Sequence, residues 1–303
     1  MMNKTLLSYI LVVGICAIAG AGTGVILKRT IGPIDETYPP GFNPKEFSPD
    51  IDEIMSRYNA LSDKTINGVR NFKDHEVVNI VMEKYRNQEY CNFYTKGNAL
   101  TIITQTVRNA FIKNGNDYFE EQISYSNIVN VATRSYQSGV GGDVSVYKGT
   151  SQGPEKATYQ SSPSNTYSAS GYKNYMGKTL DEMFIYIISE KTTLSSSRVT
   201  KGDDVVINIE LNPNLSTYWY KYQMLNLSGL SNLPPFDYVK LAYTFNSNLE
   251  LKHVYVDETF TATKEGVPVP AETHNLLDVY YYQGEPIAIP TSNESIDYSI
   301  LED

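Results

Sequence analysis

Leu6 to Leu27 is a run of 22 residues without a charge, flanked by Lys4 on one side and by Lys28 and Arg29 on the other. As a helix rising ~1.5 Å per residue it spans roughly 33 Å, enough to cross a hydrocarbon core of roughly 30 Å. Residues 1–29 are therefore predicted to form a single-pass transmembrane signal-anchor. The N-tail carries no acid, which places it inside and the rest of the chain outside the cytoplasm. Two other fates attach to the same run. Ala17-Ile18-Ala19 and Ala19-Gly20-Ala21 fit a small-x-small cleavage site, and Cys16 would be an acceptor for lipid, although the bulky Ile15 precedes it. Residues 30–49 hold five prolines and no apolar period, which reads as an extended stalk.

From Asp50 the apolar positions become periodic. Ile51, Ile54, Met55, Tyr58 and Leu61 recur at helical spacing, and Asp74 is a good N-cap for a second helix carrying Val77, Val78, Ile80, Val81 and Tyr85. The period then falls to two. Glu89–Thr95, Leu100–Ile112, Asp117–Tyr125, Asn130–Ser138 and Asp143–Lys148 read as strands, with turns at Gly97-Asn98, Asn114-Gly115 and Gly139 to Gly142. Residues 149–171 are rich in Ser, Gly and Pro and read either as a linker dividing the domain or as a loop with a short strand at Ala157–Gln160.

Beyond them, Thr179 and Glu182 form a capping box before an apolar run through Met183, Phe184, Tyr186 and Ile187, which predicts a helix. Strands Leu194–Thr200 and Asp203–Leu211 follow across a turn at Lys201-Gly202, with Val205, Ile207, Ile209 and Leu211 alternating, and then a helix around Ser216–Leu227. Further strands are predicted at Tyr238–Phe245, Leu249–Thr263 and Leu276–Tyr282. The fold class is α+β: a curved, antiparallel sheet with a few helices packed on its concave face, spanning residues 50–290 and followed by an acidic tail at 291–303.

Composition narrows the partners. Beyond residue 29 the chain carries 22 Lys and Arg against 34 Asp and Glu, a net charge of −12. A polyphosphate would be repelled by that field, so nucleic acid is not an expected partner. The two cysteines, Cys16 and Cys91, fall one to each region, so no disulfide joins the domain to itself and no CxxC metal pair exists. Exported domains without disulfides are ordinary in Gram-positive-type bacteria.

Motifs of chemistry are sparse. His75, His253 and His274 do not form HExxH, no GxSxG or SxxK serine motif occurs, and Gly139 to Gly142 lacks dinucleotide-loop spacing. A Cys91–His dyad would need assembly in space, whereas a thiol in a strand is by default packed. Asn114, Asn116, Asp117, Glu120 and Glu121 read as a solvated turn rather than a calcium loop, and Asp203-Asp204 and Asp257-Glu258 as solvated edge charge. No catalytic residue, metal site or cofactor is expected. The aromatic groups are the functional lead: Tyr218, Trp219 and Tyr222 on the predicted helix, Tyr243 and Phe245 on one strand, Tyr280 and Tyr282 on the last. Such rings line apolar cavities or, equally, pack a core with their hydroxyls at its rim.

The order of capping box, strand pair, aromatic helix and Pro234–Thr263 (PPFDYVKLAYTFNSNLELKHVYVDETFTAT), with Val239, Leu241, Tyr243 and Phe245 on one strand face, resembles the bacterial LolA/LppX-like proteins over residues 180–285. It also looks like membrane-tethered Firmicutes domains of unknown function. The first resemblance implies an incomplete β-barrel, a curved antiparallel sheet wrapping helices, that binds lipid or lipoprotein acyl chains. No ligand residue transfers from it. The expected function is a non-enzymatic module for an apolar or amphipathic ligand. An assembly subunit of a cell-envelope complex and an envelope hydrolase are the alternatives.

Overall fold

The computed structural model describes residues 42–100, 104–127, 130–182, 186–228, 232–264, 266–281, 288–290 and 293–298. The predicted anchor, Leu6–Leu27, lies outside these. Among the described residues no helix is long and apolar enough to cross a membrane.

The described chain is built on one open, curved, antiparallel sheet of twelve strands. The first half contributes β1 (Tyr90–Leu100), β2 (Thr104–Asn114), β3 (Asp117–Tyr125), β4 (Asn130–Gln137), β5 (Val144–Gly153), β6 (Lys156–Tyr159) and β7 (Asn165–Tyr167). The second contributes β8 (Thr193–Lys201), β9 (Asp204–Leu211), β10 (Phe236–Asn246), β11 (Leu251–Lys264) and β12 (Val267–Tyr281). Their spatial order is β6-β5-β4-β3-β2-β1-β12-β11-β10-β9-β8, with β7 also paired to β5. The halves are joined by β1 and β12, in register from Cys91↔Tyr281 to Leu100↔Glu272. The Ser/Gly/Pro-rich segment at 149–171 thus supplies the end of β5, then β6 and β7, inside the same sheet.

The hairpins at Asn114-Gly115 and Lys201-Gly202 form where predicted, because Gly115 (φ 60°) and Gly202 (φ 63°) take a backbone conformation that costs other residues. Gly97-Asn98 does not turn. It lies inside β1, paired to Val107 and Thr106 on one side and to Asn275 and His274 on the other. Ladder bonds on both sides of a central strand outweigh the local turn preference. Similarly, β12 begins nine residues earlier than predicted and includes Pro268 and Pro270. That stretch pairs with β11 but lies beyond the end of the β1 register, so the missing proline N–H groups interrupt no described ladder.

Five α-helices accompany the sheet among the described residues, α1 (Ile51–Asn59), α2 (Asp74–Arg86), α3 (Ala169–Met176), α4 (Pro213–Ser216) and α5 (Tyr218–Ser228), with a 3-10 turn at Pro44–Glu46 before them. Asp74 is the first helical residue of α2 rather than its cap, and Glu76 accepts the Lys73 N–H at 2.8 Å. Half of the Thr179–Glu182 box forms: the Thr179 N–H donates to the Glu182 carboxylate at 2.9 Å, while the Thr179 hydroxyl donates to Asp181. Met183 and Phe184 lie outside the described residues, and residues 186–188 are not helical. Tyr186 is held instead by a buried carboxylate described below.

The buried faces of α2 (Val77, Val78, Ile80, Val81, Tyr85) pack on the inner face of β8, β9 and β11, where Ile207, Ile209, Val254 and Val256 alternate with outward polar residues. At the N-terminal end, residues 42–49 fold onto the domain: Phe42 stacks on Phe47 and on Tyr218, at 5.2 and 4.9 Å, and Pro44 is buried.

Candidate functional site

Several of the aromatic residues singled out in the sequence are packed against the core. Tyr243 and Phe245 are fully buried on β10 within the core. Tyr218 is buried under the Phe42 ring, and Trp219 meets Tyr218 edge-on at 5.1 Å. Tyr222 lies on α5, Tyr280 lies on β12 opposite Asn92, and Tyr282 falls outside the described residues. Those whose side chains are described are occupied in packing.

A different set of side chains is brought together. On the inner face of the first half of the sheet, strand registers align buried polar residues in rows. Thr95, Asn109, Gln122 and Thr133 sit opposite one another across β1 to β4. Ser124 faces Val107 one row away, and Gln105 belongs to a row that runs through Ala99 and Thr273 to Glu258 on β11. Asn109 donates to Thr95 at 2.7 Å. Among the described residues, Asn109 Oδ1, Gln122 Oε1, Ser124 Oγ and both polar atoms of Gln105 have no hydrogen-bond partner. Gln223 on α5 is also fully buried, and neither of its amide atoms has a partner among the described residues. It lies one turn from Tyr220, whose hydroxyl reaches the sheet, so it shares the sheet-facing side of the helix.

Buried polar groups are almost always paired, because an orphan costs about 1–3 kcal/mol. Several of them share this one face of the sheet. The set is composed of amides and hydroxyls, with donors and acceptors mixed, and Oε2 of Glu120 on the same face is also without a partner among the described residues.

Two buried carboxylates border this floor. Glu258 accepts hydrogen bonds from Tyr220 at 2.8 Å and from Tyr186, which pins α5 and the segment before β8 to β11. Burial raises its carboxyl to about 7 against the pull of the two phenol donors. Glu120 is paired with Lys178 at 2.9 Å, both side chains 2% exposed. Burial pushes its carboxyl up and Lys178 draws it back down.

These placements correct the sequence reading of Asp257-Glu258 as edge charge and of Glu120 and Glu121 as part of a solvated turn. Asp257 and Glu258 part to opposite faces, Asp257 towards Tyr238 and His274 outside, and neither lies on an edge strand. Glu120 and Glu121 likewise point to opposite faces, and both are buried. The missed signal was strand parity: Glu258 shares a face with Val254, Val256, Phe260 and Ala262, and Gln105 and Asn109 share one with Val107 and Phe111.

Other chemistry is not assembled among the described residues. No group of three His, Cys, Asp or Glu is placed to hold a metal ion. Cys91 is fully buried, and burial raises its thiol to about 11, away from the thiolate a nucleophile requires. The cleft beside α1 that includes His75, about 380 Å³ in volume, is walled by the surface pair Arg57–Glu76.

No protein-family model matches the sequence, and no curated protein does. Among solved structures, the chain is similar to Rv2717c from M. tuberculosis at 8% identity and a TM-score of 0.22, covering 66% of this chain and 98% of that one. MucB in complex with MucA(peri) is similar at 9% identity and a TM-score of 0.18, covering 69% of this chain and 94% of that one. TM-scores at this level carry no argument about fold or ligand. The architecture itself, an open curved antiparallel sheet with helices on one face, is the one the LolA/LppX resemblance implied.

Proposed function

We propose that the chain is a non-enzymatic binding module, held at a membrane by Leu6–Leu27 with its folded domain outside the cytoplasm. Its ligand is neutral and rich in hydrogen-bonding groups, and is held on the inner face by Gln105, Asn109, Gln122, Ser124 and Gln223. The supporting observation is the cluster of unpaired amide and hydroxyl atoms buried on one surface. The polar head of an amphipathic lipid meets the requirement. A bare acyl chain does not, because it would leave every one of those atoms unmet. On the other half of the sheet, the inner face is already packed with α2.

Substituting Gln105→Leu and Gln122→Leu together separates binding from folding. Replacing unpaired polar groups by apolar ones of similar size is close to neutral or stabilising for the empty protein. Binding of a polar ligand should fall at least about tenfold, since each lost hydrogen bond contributes about 0.5–1.5 kcal/mol. Thermal shift with a neutral N-acetylated oligosaccharide and with a diacylated lipopeptide as probes reads both. A response retained in full by the double variant, or elicited only by an unsubstituted alkane, would reject the inner-face site. Protease added to intact cells should digest the chain beyond Asp50, and complete protection there would reject the proposed topology.

A further inference from the structure

Independently of the inner face, the outer face of the sheet carries a second buried cluster with a different cover. Tyr94, Ala110, Ile112, Phe119, Ile123 and Ala132 point outward from β1 to β4, where an exposed sheet face is ordinarily polar. They are covered by the chain's own residues 293–298. This segment runs antiparallel along β6, the last strand of the sheet, with Thr158 bridged to Glu294. The Tyr159 N–H donates to the Asn293 carbonyl at 2.9 Å and the Ser295 N–H to the Ala157 carbonyl at 3.2 Å.

Two side chains from this segment, Ile296 and Tyr298, are buried to 8% and 1% exposure, while Asp297 between them is exposed. Glu121, buried at the base of the groove, accepts both the Ile296 N–H and the Tyr298 hydroxyl at 3.0 Å. Tyr298 meets Tyr94 edge-on at 6.2 Å. Beside them Arg134 lies over the rings of Tyr159 and Tyr147, at 4.6 and 5.0 Å. A cleft of about 350 Å³ continues along the same face past Arg134 and Tyr147 to Ile289 and Pro290.

Strand addition at a sheet edge, with alternate side chains entering pockets, is a recurrent mode of peptide recognition. Here a carboxylate also reads one backbone N–H and one phenol. We propose that the groove over β3 to β6 is a binding site for an extended acidic peptide with an aliphatic residue and a tyrosine two positions apart. In this chain it is filled in cis by residues 293–298, which compete with a partner's segment. The acidity follows from the occupant: residues 293–298 contain Glu294 and Asp297 and no Lys or Arg.

A tethered occupant acts at an effective concentration in the millimolar range, so wild-type protein should take a free peptide weakly. The test uses the full chain carrying Ile296→Ala and Tyr298→Ala, with a fluorescein-labelled peptide of residues 291–303 read by anisotropy. The variant should bind at least about tenfold more tightly than wild type. A peptide bearing the same two alanines should not bind, and adding Glu121→Leu should abolish the gain. If the double variant does not fold, Tyr298→Phe, which loses only the hydroxyl contact to Glu121, takes its place. Failure of the folded variant to bind the peptide, or binding that ignores the two anchors, would overturn the proposal.

Discussion

Replacing Lys178 with methionine is expected to destabilise the protein by about 3–5 kcal/mol at neutral pH, as the loss of one member of a buried ion pair does. Lys178 and Glu120 are each 2% exposed and meet at 2.9 Å. Lys178 also donates to the Glu182 carbonyl at 3.2 Å, tying the segment after α3 to the inner face of β3. Without the ammonium, Glu120 must either remain charged in a buried site or take up a proton. Burial already raises its folded-state carboxyl. A carboxyl raised in the folded state binds more protons there than in the unfolded chain, so stability falls as pH rises. The deficit of the variant should therefore be larger at pH 8 than at pH 5 in urea unfolding. Adding Glu120→Gln should restore most of the loss, because the orphaned charge is then gone. A single variant within about 1 kcal/mol of wild type at pH 8 would mean that the pair is not buried as described.

The second large effect is expected at Glu258. Its ordinary value is 4.5 and its folded value about 7, raised chiefly by burial against the hydrogen bonds from Tyr186 and Tyr220, with Asp257 as its charged neighbour. The stability this group contributes is complete below its ordinary value and is lost as pH climbs through about 7. A shift of that size corresponds to a loss approaching about 3 kcal/mol on the alkaline side. Glu258→Gln cannot ionise, so its stability should vary less with pH across that window. At pH 8.5 it should equal or exceed wild type, although one of its hydrogen bonds must reverse direction. Unfolding curves of the two proteins at pH 5 and 8.5 decide this. Parallel behaviour would show that Glu258 does not titrate in that range. Because Glu258 pins both Tyr186 and Tyr220, its ionisation also bears on how firmly α5, which carries Gln223, is held to the sheet.

Much of the sheet was legible from local chemistry. Alternation in Asp204–Leu211 placed β9, and positive-φ glycines placed the hairpins at Gly115 and Gly202. What escaped was decided by partners distant in sequence. Gly97-Asn98 carries a turn signal that only the flanking β2 and β12 override. The capping box at Thr179 gave a correct local bond but not the predicted helix at Tyr186, whose hydroxyl is claimed by Glu258, 72 residues away in sequence.

The inner floor was hidden for a related reason. Gln105, Asn109 and Gln122 look like outward residues of amphipathic strands until their parity with Val107 and Phe111 is counted. Glu121 could not have been assigned to a buried site without knowing that residues 293–298 cover the outer face. The aromatic lead could not be resolved in sequence because aromatic residues serve packing and recognition equally well. Tyr243 and Phe245 serve packing.

Native mass spectrometry of the detergent-solubilised full chain bears most directly on the inner-face site. A neutral, polar mass or head group is expected to remain with the wild type under gentle activation and to be lost from the Gln105→Leu, Gln122→Leu protein. Retention of a purely hydrocarbon ligand by both proteins alike would contradict a floor of amides and hydroxyls as the place where the ligand is held.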